Sequence, residues 1–218
     1  FRQLKKVGMP PSELSDDAQF IRRVTIDIAG RLPLTAEVDD FMKAARAERA
    51  RKKGGDSFEA RDAVIDRLLA SPEYADNFAN KWAALLRNKR TDAKHARGSY
   101  AFHAWIRDSF NENKPFDQFV REIVGASGDI ADNPAVAWFR QVNTMTSQIE
   151  DTAQLFMGQR LQCAQCHHHP YERWSQNDYW SFGAFFSQLG RKTGSQPGEE
   201  VIYHKRGMAQ AVNKKNNQ

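Results

Sequence analysis

The sequence predicts an all-α fold, an irregular multi-helix domain with a C-x-x-C-H segment between two C-terminal helices. Three observations carry this. Apolar residues recur at helical spacing through most of the chain, in segments that open on cap residues and close on Gly or Pro. Only "EEVIYHK", Glu199 to Lys205, alternates like a strand. No repeat of fixed period and no low-complexity tract breaks the pattern.

Taken in order, "DDAQFIRRVTIDIAG" places Phe20, Ile21, Val24 and Ile28 on one face and stops at Gly30, with Pro33 beyond. Thr35 is expected to cap "AEVDDFMKAARAERARK", whose acids come first and bases last, matching the helix dipole. Ser57 opens "FEARDAVIDRLLA". Ser71, Pro72 and Glu73 open "PEYADNFANKWAALLRN" as cap, first-position proline and acid. "SYAFHAWIRDSFNEN" and "PFDQFVREIVG" are separated by Lys114-Pro115, and "SQIEDTAQLFMGQ" leads into the cysteines. "SQNDYWSFGAFFSQLG" follows them, with Ser175 as cap and Asp178 three residues on. The expectation is about eight helices. A single helical domain over 1–190 is expected, with Gly125–Pro134 as the candidate subdivision and 191–218 as a polar tail or the start of a following region.

The composition, 40% hydrophobic and 27% charged, is that of a globular chain with enough apolar material for a core. No apolar run approaches the ~20 residues of a bilayer-spanning helix. The first residues hold no apolar stretch of signal-peptide type, and the polar last residues suggest a natural protein that continues. The net charge is +5, and the basic run Ala47 to Gly55 reads as a solvated helix end and linker. No nucleic-acid partner is expected, because no basic stripe is interleaved with aromatics. Nucleotide-binding loops, the serine-hydrolase elbow and the zinc-protease H-E-x-x-H are absent from the sequence.

"LQCAQCHHHPYERW", Leu161 to Trp174, holds both cysteines of the chain and three of its six histidines. Four chemistries use such a segment. In covalent haem attachment, Cys163 and Cys166 bond the two vinyl groups and His167 ligates the iron. In a zinc site, Cys163, Cys166 and His169 need one remote histidine, from His95, His103 or His204, none of which lies in a paired spacing. A thiol redox pair lacks its usual β-α-β setting here, and a plain disulfide is the fourth reading. Haem attachment places every residue in the required order.

The segment "CAQCHHHPYERWSQNDYW" followed by "AFF" resembles the C-A-x-C-H-x-H-P motif of a planctomycete cytochrome-c-like domain family. That family is found in large secreted bacterial proteins and is catalogued as a domain of unknown function. "IRRVTIDIAGRLPLTAEVDDF" resembles its R-R-x-x-x-D-x-x-G-x-x-P-x-x-x-E-x-x-x-F opening. "VIDRLLASPEYADNFANKWAALLR" resembles its D-R-L-L-x-S-P-x-Y segment, and "NENKPFDQFVREIVG" its N-x-x-x-P-[YF]-D-x-F-V block. The likeness covers roughly residues 20 to 190. It implies a helical, extracytoplasmic, haem-binding module joined to further domains of a longer chain. "AGRLP" and "ALLRNKR" depart from the family's more typical segments.

Beyond Cys163, Cys166 and His167, the cofactor candidates are His169, Arg160, Arg173 and Trp174. His169 belongs to the family motif and reads as a donor near the haem propionates, as a ligand to a second metal, or as a local brace for the turn before Pro170. Arg160 and Arg173 are placed to pair with haem propionates, and Trp174 begins an aromatic wall with Tyr179, Trp180, Phe182, Phe185 and Phe186. For the sixth iron position, Met208 and His204 lie downstream, with Met157 and Met145 also weighed. Met157 reads first as helix core. The expected function is a monohaem c-type domain for electron transfer in the cell envelope, with a redox protein or a linked domain as partner. The alternatives are a haem enzyme with an open iron position, and a zinc-binding structural module.

Overall fold

The computed structural model describes residues 1–52, 58–90 and 92–213. Among them are ten α-helices: α1 (Arg2–Lys6), α2 (Asp17–Ala29), α3 (Thr35–Lys52), α4 (Glu59–Leu69), α5 (Pro72–Leu85), α6 (Ala96–Asn111), α7 (Phe116–Val124), α8 (Trp138–Gln141), α9 (Met145–Phe156) and α10 (Gln176–Gly183). One antiparallel hairpin, β1 (Leu189–Thr193) and β2 (Glu200–His204), pairs Leu189 with His204 and Thr193 with Glu200. The predominantly helical class is as the sequence predicts. The helices beyond the expected eight are α1 and α8, each too short to show a periodicity.

The chain forms two compact units, Phe1–Phe78 and Ala79–Gln218, whose boundary falls inside α5. Gly125–Pro134 therefore lies within the second unit. No helix among the described residues is long and apolar enough to cross a membrane.

The first unit packs α2, α3 and α4 around Ile21, Ala29, Phe41, Ala45, Val64 and Leu68. Asp16 caps α2 by accepting the Gln19 N–H, and Gly30 ends it at φ +73°. Any side chain at Gly30 would be strained by that φ and would meet Asn77, whose Nδ2 donates to the Asp27 and Ile28 carbonyls. At α3 the structure departs from the expected cap. Thr35 is itself the first helical residue, and Glu37 reaches back to accept the Leu34 N–H at 2.8 Å. The same carboxylate receives Arg31 through both guanidinium amines, at 2.8 and 3.0 Å, and Arg67 at 3.1 Å. The expected cap at Ser57 lies outside the described residues. Pro72 begins α5 as its first residue.

The second unit has two apolar clusters. The larger joins α5, α6, α7 and the α8 region through Phe102, Ile106, Phe119, Ile123, Trp138 and Phe139. Phe119 stacks on Trp105 with centroids 5.1 Å apart and meets Trp82 edge-on at 5.4 Å. The strand expected at "EEVIYHK" is present as β2. Its partner β1 was not expected, and together they carry the fold past residue 190: Ile202 is buried in the larger cluster and bridges to Gly128. The smaller cluster, of Ile149, Ala153, Leu161, Ala164, Tyr179 and Phe186, underlies the cysteine segment.

Candidate functional site

The cysteine segment is built on a short 3₁₀ turn, Gln162–Gln165. With three residues per turn, positions i and i+3 eclipse. Leu161 and Ala164 are thus fully buried together in the smaller cluster, while Cys163 and Cys166 share an exposed edge. The backbone closes on itself through Ala164 N–H to the Leu161 carbonyl and His167 N–H to the Cys163 carbonyl, at 2.9 and 3.3 Å. Apolar anchoring on one side therefore fixes the presentation of two thiols on the other.

The three consecutive histidines are each bonded differently. His167 Nδ1 lies 2.6 Å from the His168 carbonyl oxygen, which can only accept, so Nδ1 is the donor and, in the neutral ring, the lone pair is on Nε2. His168 is exposed and accepts the Gln176 N–H at Nδ1, 3.3 Å away. His169 Nδ1 accepts two backbone N–H groups, from Tyr171 at 3.3 Å and Glu172 at 2.9 Å, and its own N–H donates to the Trp174 carbonyl at 2.9 Å. His169 thus braces the turn through Pro170, the local role weighed for it.

Downstream, Ser175 and Asp178 form a reciprocal capping box that starts α10. The Ser175 N–H and hydroxyl hold the Asp178 carboxyl below the usual carboxylate range. Tyr179, one residue on, is fully buried, and its hydroxyl donates to Glu150 at 3.1 Å. Burial pushes the phenol pKa well up, and the nearby Glu150 carboxylate and Cys166 thiol push the same way.

Of the other candidates, Trp174 is half-buried in the smaller cluster and donates its indole N–H to Gln159 at 3.2 Å. Arg160 and Arg173 are exposed. Met145 packs against the smaller cluster at the start of α9. Met157, expected in a helix core, is instead the C-terminal cap residue of α9 and 47% exposed, because the helix ends there and turns outward through Gly158 at φ +66°. His204 ends β2 and is exposed. Met208 is 80% exposed, with its sulfur 3.1 Å from the Gln210 amide. Trp180, expected in the aromatic wall, has a buried indole N–H with no partner among the described residues. Its position in a run of aromatics masked that property. Among the described residues, no three His, Cys, Asp or Glu side chains stand together as a metal-ligand group.

A mainly helical chain with two thiols and an imidazole on one exposed turn defines the class. A family model described as "PSCyt2: Protein of unknown function (DUF1549)" matches residues 1–191, and the chain belongs to that family. No curated protein and no solved structure matches the chain.

Proposed function

We propose that the second unit is a c-type haem-binding domain that carries single electrons in the bacterial cell envelope. Cys163 and Cys166 would hold one haem by thioether bonds, and His167 Nε2 would ligate its iron. When bound, the haem supplies a one-electron iron couple.

The observation that carries this reading is the state of His167. Its Nδ1–H is spent on the His168 carbonyl, which leaves Nε2 as the ligating nitrogen and orients the ring. The donor set fits the group: two exposed sulfurs three residues apart, followed at once by an imidazole in the ligating tautomer. Behind them, Trp174, Tyr179, Trp180 and Phe182 form an apolar wall that keeps water from one side of the turn. Thioether attachment requires reduced thiols and dedicated assembly outside the cytoplasm, which supports an extracytoplasmic location, with another envelope protein or a linked domain as redox partner. A zinc module on Cys163, Cys166 and His169 is less well supported, because His169 Nδ1 is already committed to two backbone N–H groups.

The test is whole-protein mass and haemochrome spectrum after expression with a haem-attachment system. One haem mass per chain is expected, lost in the Cys163→Ser/Cys166→Ser variant. Matured protein with stoichiometric zinc and no adduct would overturn the proposal. A low-spin, six-coordinate spectrum supports an electron carrier, whereas a five-coordinate, high-spin spectrum points to a haem enzyme.

A further inference from the structure

A cavity of about 390 Å³ opens in the second unit beside the β1–β2 hairpin, lined in part by Lys94, Arg140, Arg191, Lys192, Glu199 and Glu200. The two carboxylates in this wall are already paired. Glu199 accepts from Arg97 at 2.8 Å, and Glu200 from Arg191 at 3.2 Å. Among the described residues, Arg140 has no carboxylate within ion-pair reach. Its Nη2 donates to the Ser99 hydroxyl at 2.9 Å and the Lys89 carbonyl at 3.3 Å, while its buried Nε and Nη1 have no partner among the described residues. Burial lowers its pKa, and the nearby Glu200 carboxylate opposes that shift only in part. Lys94 is held in place from outside. A Cβ at Gly198, where φ is +80°, would come within 2.8 Å of the Lys94 stem and carbonyl, so the hairpin turn presses directly on that residue.

Lys94 also pairs with Asp92 at 3.6 Å. The three carboxylates Asp92, Glu199 and Glu200 thus answer Lys94, Arg97 and Arg191, and Arg140 and Lys192 leave an excess of positive charge in a concave, polar site. Arg191 is spent on Glu200 and on the Phe139 and Val142 carbonyls. The exposed ammonium groups of Lys94, ahead of α6, and Lys192, in β1, are therefore the donors left for a ligand. Such point charges from separate elements suit a tetrahedral oxyanion better than a single planar carboxylate. The volume is more than a bare phosphate ion fills, and the two paired glutamates still offer acceptor lone pairs to hydroxyl groups. We propose that this cavity binds a small hydroxylated molecule through a tetrahedral oxyanion ester, phosphate or sulfate. The site lies among residues distinct from the cysteine segment, and the proposal stands whether or not haem is attached there.

Calorimetric titration of the full chain at low salt tests it, with inorganic phosphate, inorganic sulfate, glucose 6-phosphate and succinate as probes. Saturable one-to-one uptake of phosphate is expected, with tighter uptake of glucose 6-phosphate. Lys94→Ala and Lys192→Ala, both at exposed positions, should each weaken phosphate binding about fivefold, while Lys43→Ala in the first unit leaves it unchanged. Sulfate equal to phosphate supports an oxyanion site shared by both esters. Three results would overturn the proposal: no saturation by either oxyanion, succinate binding as well as phosphate, or Lys43→Ala weakening binding as much as Lys192→Ala.

Discussion

Arg31 grips Glu37 through both guanidinium amines, and Arg67, thirty residues further along, binds the same carboxylate at 3.1 Å. The pair therefore joins the start of α3 to α4. The Arg31 hydrogen bonds, opposed by partial burial and aided by the Leu34 N–H, lower the Glu37 pKa to about 2. A carboxylate with a depressed folded-state value stabilises above its ordinary 4.5, and loses that contribution as the pH falls toward about 2. Glu37→Gln should cost about 2 kcal/mol near neutral pH. It should also flatten the acid limb of the stability profile between those limits, read by urea unfolding across pH.

The bond from His167 Nδ1 to the His168 carbonyl makes a separate prediction for haem-loaded protein. On the proposed reading, attachment would depend on Cys163 and Cys166, and iron ligation on His167. His167→Ala should therefore keep the mass of one haem and lose the imidazole-ligated optical spectrum. Loss of both together in a folded variant would show that the imidazole is needed for attachment as well.

His169 is predicted to be a structural brace. His169→Ala removes the acceptor for the Tyr171 and Glu172 N–H groups and should lower stability by about 1 kcal/mol. The haem adduct should be retained. His169→Asn, which keeps an acceptor at similar reach, should recover part of the loss in thermal unfolding.

Tyr179 is predicted to resist ionisation. A phenol whose folded-state value is raised stabilises fully below its ordinary value of 10.0, and that contribution is lost as the pH climbs above it. Spectroscopic titration of the tyrosinates should show one fewer group ionising in the native protein than in unfolded chains. Tyr179→Phe should abolish the difference and cost about 1 kcal/mol through the Glu150 bond.

What the sequence disclosed depended on range. The Gly30 stop of α2 and the Ser175–Asp178 box lie within a few residues of the elements they punctuate, so local chemistry reveals them. The inward Leu161 and Ala164 obey the same 3₁₀ spacing that turns the thiols outward, but that period emerges only once the smaller cluster is known. Contacts across long sequence intervals were not legible. Glu37 reads as a first-turn acid until Arg67 arrives from another helix. β1, "LGRKT", does not alternate, and it is a strand because β2 pairs with it and Ile202 is buried. Met157 was misplaced because helical spacing continues past the residue where Gly158 turns the chain.

The bridge between Gly128 and Ile202 sets where this module ends. Both of its hydrogen bonds, at 2.8 and 2.9 Å, tie the loop after α7 to a strand that begins nine residues beyond the end of the family match. A chain trimmed at residue 191 would be cut through the middle of β1 and would leave the place of Ile202 open to water. The inheritable folding unit is therefore longer than its recognisable signature, and recombination or domain grafting that respects only the signature would pass on an unfinished module.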